Sequence, residues 1–295
     1  MTNNKERWIV TGATGQLGSH AIHALKEQSP DAVIMAMSRR ATPDRWLVES
    51  AIVDLAETDT VVSTIERFAP THVLHLGAMT AVSEAYNNPK LADQVNVQAT
   101  QAIADTTARL DARMVFASTD MVFDGRLAPY TEDATPRPIS NYGRSKASAE
   151  AALAGQSHIA IVRFPLMFGI PKIERSSTVV NQIQALRDGT PLNLFTDEFR
   201  TPLWLGDAAA QAIQIARLDV NGIFHCPGPE RLSRLQMVER FATALNIKTG
   251  NINAISRLDI DSPETRPEDL SLSSIRTRKV LTAFSPQPIC TNTLS

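Results

Sequence analysis

The sequence predicts an α/β fold, a doubly wound parallel sheet carrying a smaller C-terminal lobe. From the N-terminus, short apolar or β-branched runs alternate with longer amphipathic stretches, the pattern of strands joined by crossover helices. Those runs are continuous rather than alternating, as strands buried on both faces require. A glycine-rich turn opens the first helical stretch, and beyond Pro171 the regular alternation weakens into helices and loops.

The first strand is read at Arg7 to Thr11. The first helix runs from Gln16 to Gln28, where Leu17, Ala21, Ala24 and Leu25 share one face, and Ser29-Pro30 closes it. Further strands are expected at Ala32 to Ser38, Ala51 to Val53, His72 to Leu76 and Met114 to Ser118, with helices at Thr58 to Phe68 and Leu91 to Leu110. Asp124 to Ser140, with Gly125, Pro129, Pro136 and Pro138, is a loop. A helix from Tyr142 to about Ala154 and a strand from His158 to Arg163 complete the series. Residues 1–170 thus form a dinucleotide-binding domain, and 171–295 a smaller lobe interwoven with it. That lobe is given helices at Thr178 to Arg187, Asp207 to Leu218 and Ser233 to Leu245, and a loose tail from Phe284 to Ser295.

The composition excludes several classes. In 295 residues, 43% are hydrophobic and 20% charged, and 29 basic against 31 acidic side chains leave a net charge of −2. Such a chain folds, and has no general attraction for nucleic acid or anionic membranes. No apolar run approaches a membrane span. The polar start, Met1 to Arg7, leads into only Trp8-Ile9-Val10, so no secretory signal is expected and a cytoplasmic protein is. Cys226 and Cys290 lack metal or redox spacing. His20 and His23 share a helical face without a third ligand, and His72 and His75 point to opposite faces of a strand, so no metal is expected.

Gly12-Ala13-Thr14-Gly15-Gln16-Leu17-Gly18 sits between a strand and a helix, the context that makes a Rossmann-type dinucleotide site. Gly12 permits the turn, Gly15 lets backbone approach a pyrophosphate, and Gly18 lets the helix pack close, while the helix N-terminus offers free N–H groups. The second strand ends in Ser38-Arg39-Arg40 with no acid to hold a ribose 2′-hydroxyl. Ser38 and Arg39 suit a 2′-phosphate instead, giving NADP(H) preferred and NAD(H) possible, unless both arginines are solvated loop residues. Asp54 and Leu55 are placed to flank the adenine, and Leu76, Gly77 and Ala78 to lie beneath the ribose and phosphates.

Tyr142 and Lys146 stand at i and i+4 on one helix face, where the ammonium is expected to favour the phenolate and bring the phenol toward neutral pH. Ser118 and Thr119 close the fifth strand at the edge where such sheets receive ligands. The order of T-G-x-x-G-x-x-G, Ser-Thr and Y-x-x-x-K resembles the extended short-chain dehydrogenase/reductase family. Within it, Ser118-Thr119-Asp120-Met121-Val122-Phe123-Asp124-Gly125, Pro129-Tyr130-Thr131-Glu132-Asp133 and Asn141 to Lys146 resemble the dTDP-4-dehydrorhamnose reductases.

That resemblance implies reduction of a nucleotide-linked 4-keto sugar. Tyr142 would be the proton donor, Lys146 its electrostatic partner and ribose ligand, and Thr119 the third member of a triad. It further implies Ser118 and Phe164 on the cofactor side, Asn96 there as a support of the active-site backbone, and Thr119, Asp120 and Arg200 on the substrate side, with Arg266 meeting a diphosphate or capping a lobe contact. Arg231 and Arg234 are further phosphate candidates or solvated surface arginines. A homodimer is compatible with it. Three departures, Met121 for Tyr, Ala149 for Gly and Leu166 for Trp, bear on which sugar is taken. A cofactor-binding regulatory protein, as the regulatory subunit of methionine adenosyltransferase resembles these reductases, and a nucleotide-sugar epimerase are the alternatives.

Overall fold

The structure, a computed structural model, describes residues 5–294. In chain order the first half contains β1 (Arg7–Thr11), α1 (Gln16–Gln28), β2 (Val33–Ser38), β3 (Glu49–Ile52), α2 (Thr58–Phe68), β4 (His72–His75), α3 (Val82–Asn87), α4 (Pro89–Asp93), α5 (Ala99–Arg109), β5 (Arg113–Thr119), α6 (Asn141–Ala152) and β6 (Ile159–Phe164). The second half follows with β7 (Met167–Phe168), α7 (Thr178–Asp188), β8 (Leu192–Phe195), β9 (Phe199–Arg200), β10 (Leu203–Trp204), α8 (Leu205–Arg217), β11 (Gly222–His225), β12 (Leu232–Ser233), α9 (Arg234–Leu245), β13 (Ile252–Ile255) and α10 (Ile275–Val280).

Seven strands form one parallel sheet in the order β11-β6-β5-β4-β1-β2-β3. Successive side chains alternate between its faces, and both faces are covered. Trp8, Val10, Leu74, Val115 and Val162 pack with α1 and α8, whereas Ile9, Val73, Phe116 and Ile161 pack with α2, α5 and α6. This two-sided burial is why the strands read as unbroken apolar runs. The strand order reverses between β1 and β4, so the ligand crevice opens at the carboxyl ends of these strands.

A separate apolar cluster, including Phe168, Val179, Ile183, Leu194, Val238 and Phe241, supports the lobe built on α7, α9 and the β8–β13 pair. The chain beyond residue 171 also returns to the main sheet, which β11 extends and α8 covers. No strand was expected at Gly222–His225, which is set in the sheet by pairing with β6, far earlier in the chain. The expected helix from Leu91 to Leu110 is α4 and α5 joined by a π-helical turn at Gln94–Gln98.

His20 and His23 do not share surroundings: His20 is buried and bonded to the Ile170 carbonyl at 2.9 Å, while His23 is exposed beside Glu27. The tail expected to be loose is tied down instead. Leu294 joins the lobe core, and the Gln287 N–H donates to Asp207 at 2.6 Å, because α8 and the lobe leave apolar surface for it to cover. Residues 1–4 of the polar start and Ser295 lie outside the described residues.

Under the crevice, Arg163 on β6 grips Glu150 on α6 through Nη2 to Oε2 at 2.6 Å and Nε to Oε1 at 2.9 Å, with both side chains buried. Breaking a buried pair strands a desolvated charge. Glu150→Ala is therefore expected to lower unfolding free energy by about 3–5 kcal/mol in equilibrium urea denaturation, and Glu150→Leu combined with Arg163→Met by less than that.

Candidate active site

A cavity of about 680 Å³ runs along the carboxyl ends of β1, β2, β4, β5 and β6 and reaches the lobe. Its first half is backbone-rich. Gly12 has φ +64, and a side chain there would meet the Gly77 Cα at 2.6 Å, so the turns after β1 and β4 touch without side chains between them. Gly18 packs equally close to the Gly12 carbonyl. Gly15 caps α1 in extended conformation with no side-chain acceptor, leaving the first-turn N–H groups for a ligand. Thr14, Gln16 and Leu17 line the same wall.

Ser38 and Arg39 line the cavity past β2, where the Ser38 hydroxyl donates to the Arg40 carbonyl at 2.7 Å and both arginines are exposed. Asp54 accepts the Ala56 N–H at 3.0 Å, and Leu55, Leu76, Gly77 and Ala78 form the floor. That floor hangs on a buried chain the sequence reading missed. The Leu76 and Gly77 N–H groups donate to Thr11 Oγ1 at 3.1 and 3.0 Å, and His75 bridges Thr11 and Thr100 at 2.8 and 2.9 Å. Burial and the Lys146 charge push His75 down to about 3, so it is neutral.

Asn96 does not line the cavity. It holds the Met79 backbone at both N–H (2.8 Å) and carbonyl (3.1 Å) and donates to Ser145 on α6 at 2.9 Å, which makes it a support of the wall rather than part of it. The π-helical turn carries Asn96 to this buried position.

Thr119, Tyr142 and Lys146 all face the cavity. Ser140 caps α6 by accepting the Gly143 N–H at 3.0 Å, and a side chain at Gly143 would strike the Met121 carbonyl, so α6 lies against the turn after β5. Lys146 Nζ sits 3.9 Å above the Phe116 ring. Ser118 also lines the cavity, but its hydroxyl donates to Glu150 beneath it. Phe164 closes the end of β6.

The electrostatics differ from the expectation that Lys146 would lower the phenol. Burial pushes Tyr142 above its usual range, the Thr119 hydroxyl opposes it and the Asp120 carboxylate adds to it. Burial pushes Lys146 down to about 7, partly offset by Glu150. Desolvation acts against both charged forms and is the leading cause of each shift.

At the lobe end, burial raises Asp120 to about 6, against the pull of Arg200 and the Thr119 hydroxyl. Arg200 Nε lies 3.5 Å from Asp120 Oδ2 and its Nη2 3.4 Å from Glu198. Glu198 also faces Arg234 at 3.9 Å and Arg266 at 3.4 Å, so three cations converge on the cavity around two acids. Glu198 was missed, although its spacing two residues before Arg200 places both on one face of an extended segment. Glu264 and Arg175 line the cavity too, Arg175 by donating to the Thr14 carbonyl at 3.0 Å. Arg231 lies apart, paired with Asp269 at 2.7 Å and stacked on Phe199.

Residues 6–288 match the family described as the RmlD substrate binding domain. The chain is 31% identical over 264 residues to methionine adenosyltransferase 2 subunit beta of Pongo abelii, covering 87% of this chain and 76% of that one. It is 31% identical over 280 residues to the dTDP-4-dehydrorhamnose reductase of Sinorhizobium fredii, covering 90% and 88% respectively. Among solved structures, a hypothetical dTDP-4-dehydrorhamnose reductase from Sulfolobus tokodaii superposes with a TM-score of 0.85 at 25% identity, covering 98% of this chain and 99% of that one. The dTDP-4-dehydrorhamnose reductase of Bacillus anthracis in complex with NADP gives 0.84 at 22% identity, over 98% and 97%.

A buried ammonium below its ordinary 10.5 binds its proton less well in the folded chain than in the unfolded one, so native stability rises with pH from about 7 toward 10.5. Lys146→Met is expected to raise the urea midpoint most below pH of about 7, with the gain shrinking as pH rises through that window; a gain independent of pH would contradict this origin.

Proposed function

The chain belongs to the family of the RmlD substrate binding domain, and from that premise we propose that it is an NADP(H)-dependent reductase of a nucleotide-linked 4-keto sugar, akin to the dTDP-4-dehydrorhamnose reductases. The observation that carries the reading is the meeting of Thr119, Tyr142 and Lys146 in one cavity with the glycine loop and the Ser38-Arg39 pair. The residues present fit the cofactor. The uncapped N-terminus of α1 suits a pyrophosphate, and exposed guanidinium groups beside the Ser38 hydroxyl suit a 2′-phosphate while leaving room for NAD(H).

When bound, the reduced nicotinamide supplies hydride to the carbonyl carbon. The chain supplies the rest. Tyr142 holds its proton firmly until an alkoxide forms beside it, which is the protonation state a donor needs. Thr119 offers a hydroxyl to the same oxygen, and Lys146, held near 7, gains charge as an anion develops beside it. Asp120, Arg200, Arg234 and Arg266 meet the sugar and its diphosphate, where guanidinium groups give charge-assisted bonds. No helix among the described residues is long and apolar enough to cross a membrane, and we place the protein in the cytoplasm, with a homodimer as the assembly the family likeness suggests.

The likeness to methionine adenosyltransferase 2 subunit beta favours a second reading, a cofactor-binding protein that serves as a subunit of another enzyme. NADPH oxidation with a panel of nucleotide-linked 4-keto sugars decides between them. Tyr142→Phe is expected to lower turnover by about 10²–10⁴-fold with NADPH affinity unchanged. Arg39→Ala is expected to weaken NADPH binding by roughly 10- to 100-fold, the worth of about 1.5–3 kcal/mol for a charged hydrogen bond, and to leave NADH affinity nearly unaltered in fluorescence titration.

A further inference from the structure

We propose that Arg175, in the segment leading from β7 into α7, is a ligand of the cofactor's pyrophosphate, so that the dinucleotide is held from beyond the glycine turn as well as by it. The inference rests on the cofactor half of the proposed function, which the reductase and the subunit readings share. Position, availability and charge carry it.

The segment is laid along α1 toward its amino end. The Ile170 carbonyl bonds His20 at 2.9 Å, the Lys172 N–H donates to Ser19 Oγ at 3.1 Å, and Arg175 Nη1 donates to the Thr14 carbonyl at 3.0 Å. Each step along the segment thus meets an earlier residue of α1 or of the turn before it. The last contact brings the guanidinium to the residue directly before Gly15, the uncapped start of the helix, on the cavity wall that Gly15, Gln16 and Gly18 share.

The guanidinium is free to take a ligand. Its bond to Thr14 uses one N–H, the side chain is exposed, and among the described residues no carboxylate pairs with it. The other cations of the cavity wall stand elsewhere: Arg39 and Arg40 beyond β2, Lys146 over Phe116, and the three arginines gathered about Glu198. Charge gives the reason for a cation at this place. A pyrophosphate is a dianion, whereas the amino end of a helix supplies roughly half a unit of positive charge. A guanidinium adds paired, charge-assisted bonds to phosphate oxygens. The Thr14 bond holds it at the turn before the ligand arrives, which lowers the ordering cost of binding.

The test is titration calorimetry of the full-length protein and of Arg175→Met, Arg175→Gln and Arg39→Ala with NADPH, NADH and 2′-AMP, the last carrying a 2′-phosphate and no pyrophosphate. Arg175 is exposed, so its variants are expected to keep the native urea midpoint. Arg175→Met is expected to weaken NADPH and NADH alike by about tenfold or more and to leave 2′-AMP within about twofold of native, whereas Arg39→Ala spares NADH and weakens the other two. Arg175→Gln keeps an N–H for the Thr14 carbonyl but no charge. Its expected loss equals that of the Met variant, and the deficit shrinks as KCl is raised from about 0.05 to 0.5 M. NADPH and NADH affinities of Arg175→Met within about twofold of native overturn the proposal, as does a loss confined to NADPH or one that extends to 2′-AMP. A native-like Arg175→Gln, or a deficit indifferent to salt, also overturns it, because either reduces the arginine to a prop for the Thr14 carbonyl. A native protein that binds neither NADPH nor NADH overturns the cofactor reading and this inference with it, whereas native binding with unaffected Arg175 variants overturns the inference alone.

Discussion

The candidate active site depends on a buried carboxylate that is not on its wall. Glu150 is held by Arg163 from β6 and by the Ser118 hydroxyl from β5, and it lies one helical turn beyond Lys146 on α6. One side chain thereby fastens the helix bearing Tyr142 and Lys146 to the strands that end in Thr119 and Phe164. A charge in that position is tolerated only because Arg163 answers it at close range. The remaining Arg163 donor meets His225 at 3.2 Å, and His225 in turn reaches the Ser273 carbonyl, so the same network extends to the loop before α10.

Above this layer the cavity holds acids and bases out of their ordinary ranges for one reason. Tyr142 and Asp120 are raised and Lys146 and His75 lowered, each with burial as the leading cause. Burial thus shifts each group toward its neutral form, and near neutrality it keeps Tyr142 and His75 uncharged. A neutral phenol can donate a proton and a neutral His75 can hold Thr11, and through Thr11 the backbone floor of the cavity. Perturbed groups gathered in one crevice are the usual mark of a functional site.

The two parts of the chain meet across the cofactor half of the cavity. Lys172 N–H donates to Ser19 at 3.1 Å, Ile170 carbonyl bonds His20, and Arg175 bonds the Thr14 carbonyl. The segment after β7 therefore lies along α1 and the glycine turn. At the other end, Arg200, Arg234 and Arg266 come from β9, α9 and a loop between β13 and α10, and Glu198 gathers them. Three guanidinium groups are thereby gathered around Glu198 and Asp120 at one end of the cavity.

The sequence by itself determined the parallel α/β framework, with β1 and α1 at their observed limits, because strands buried on both faces and helices with one apolar face leave periodic traces. It also located the glycine loop, Ser38-Arg39 and the Thr119, Tyr142 and Lys146 pattern, since each depends on short spacings along one element. Only the tertiary structure decided the rest. The strand at Gly222–His225, the docked tail and the Glu198 cluster all depend on residues far apart in the chain. The direction of the Tyr142 shift was decided there as well: spacing gives the distance between a phenol and an ammonium, but desolvation depends on everything packed around them.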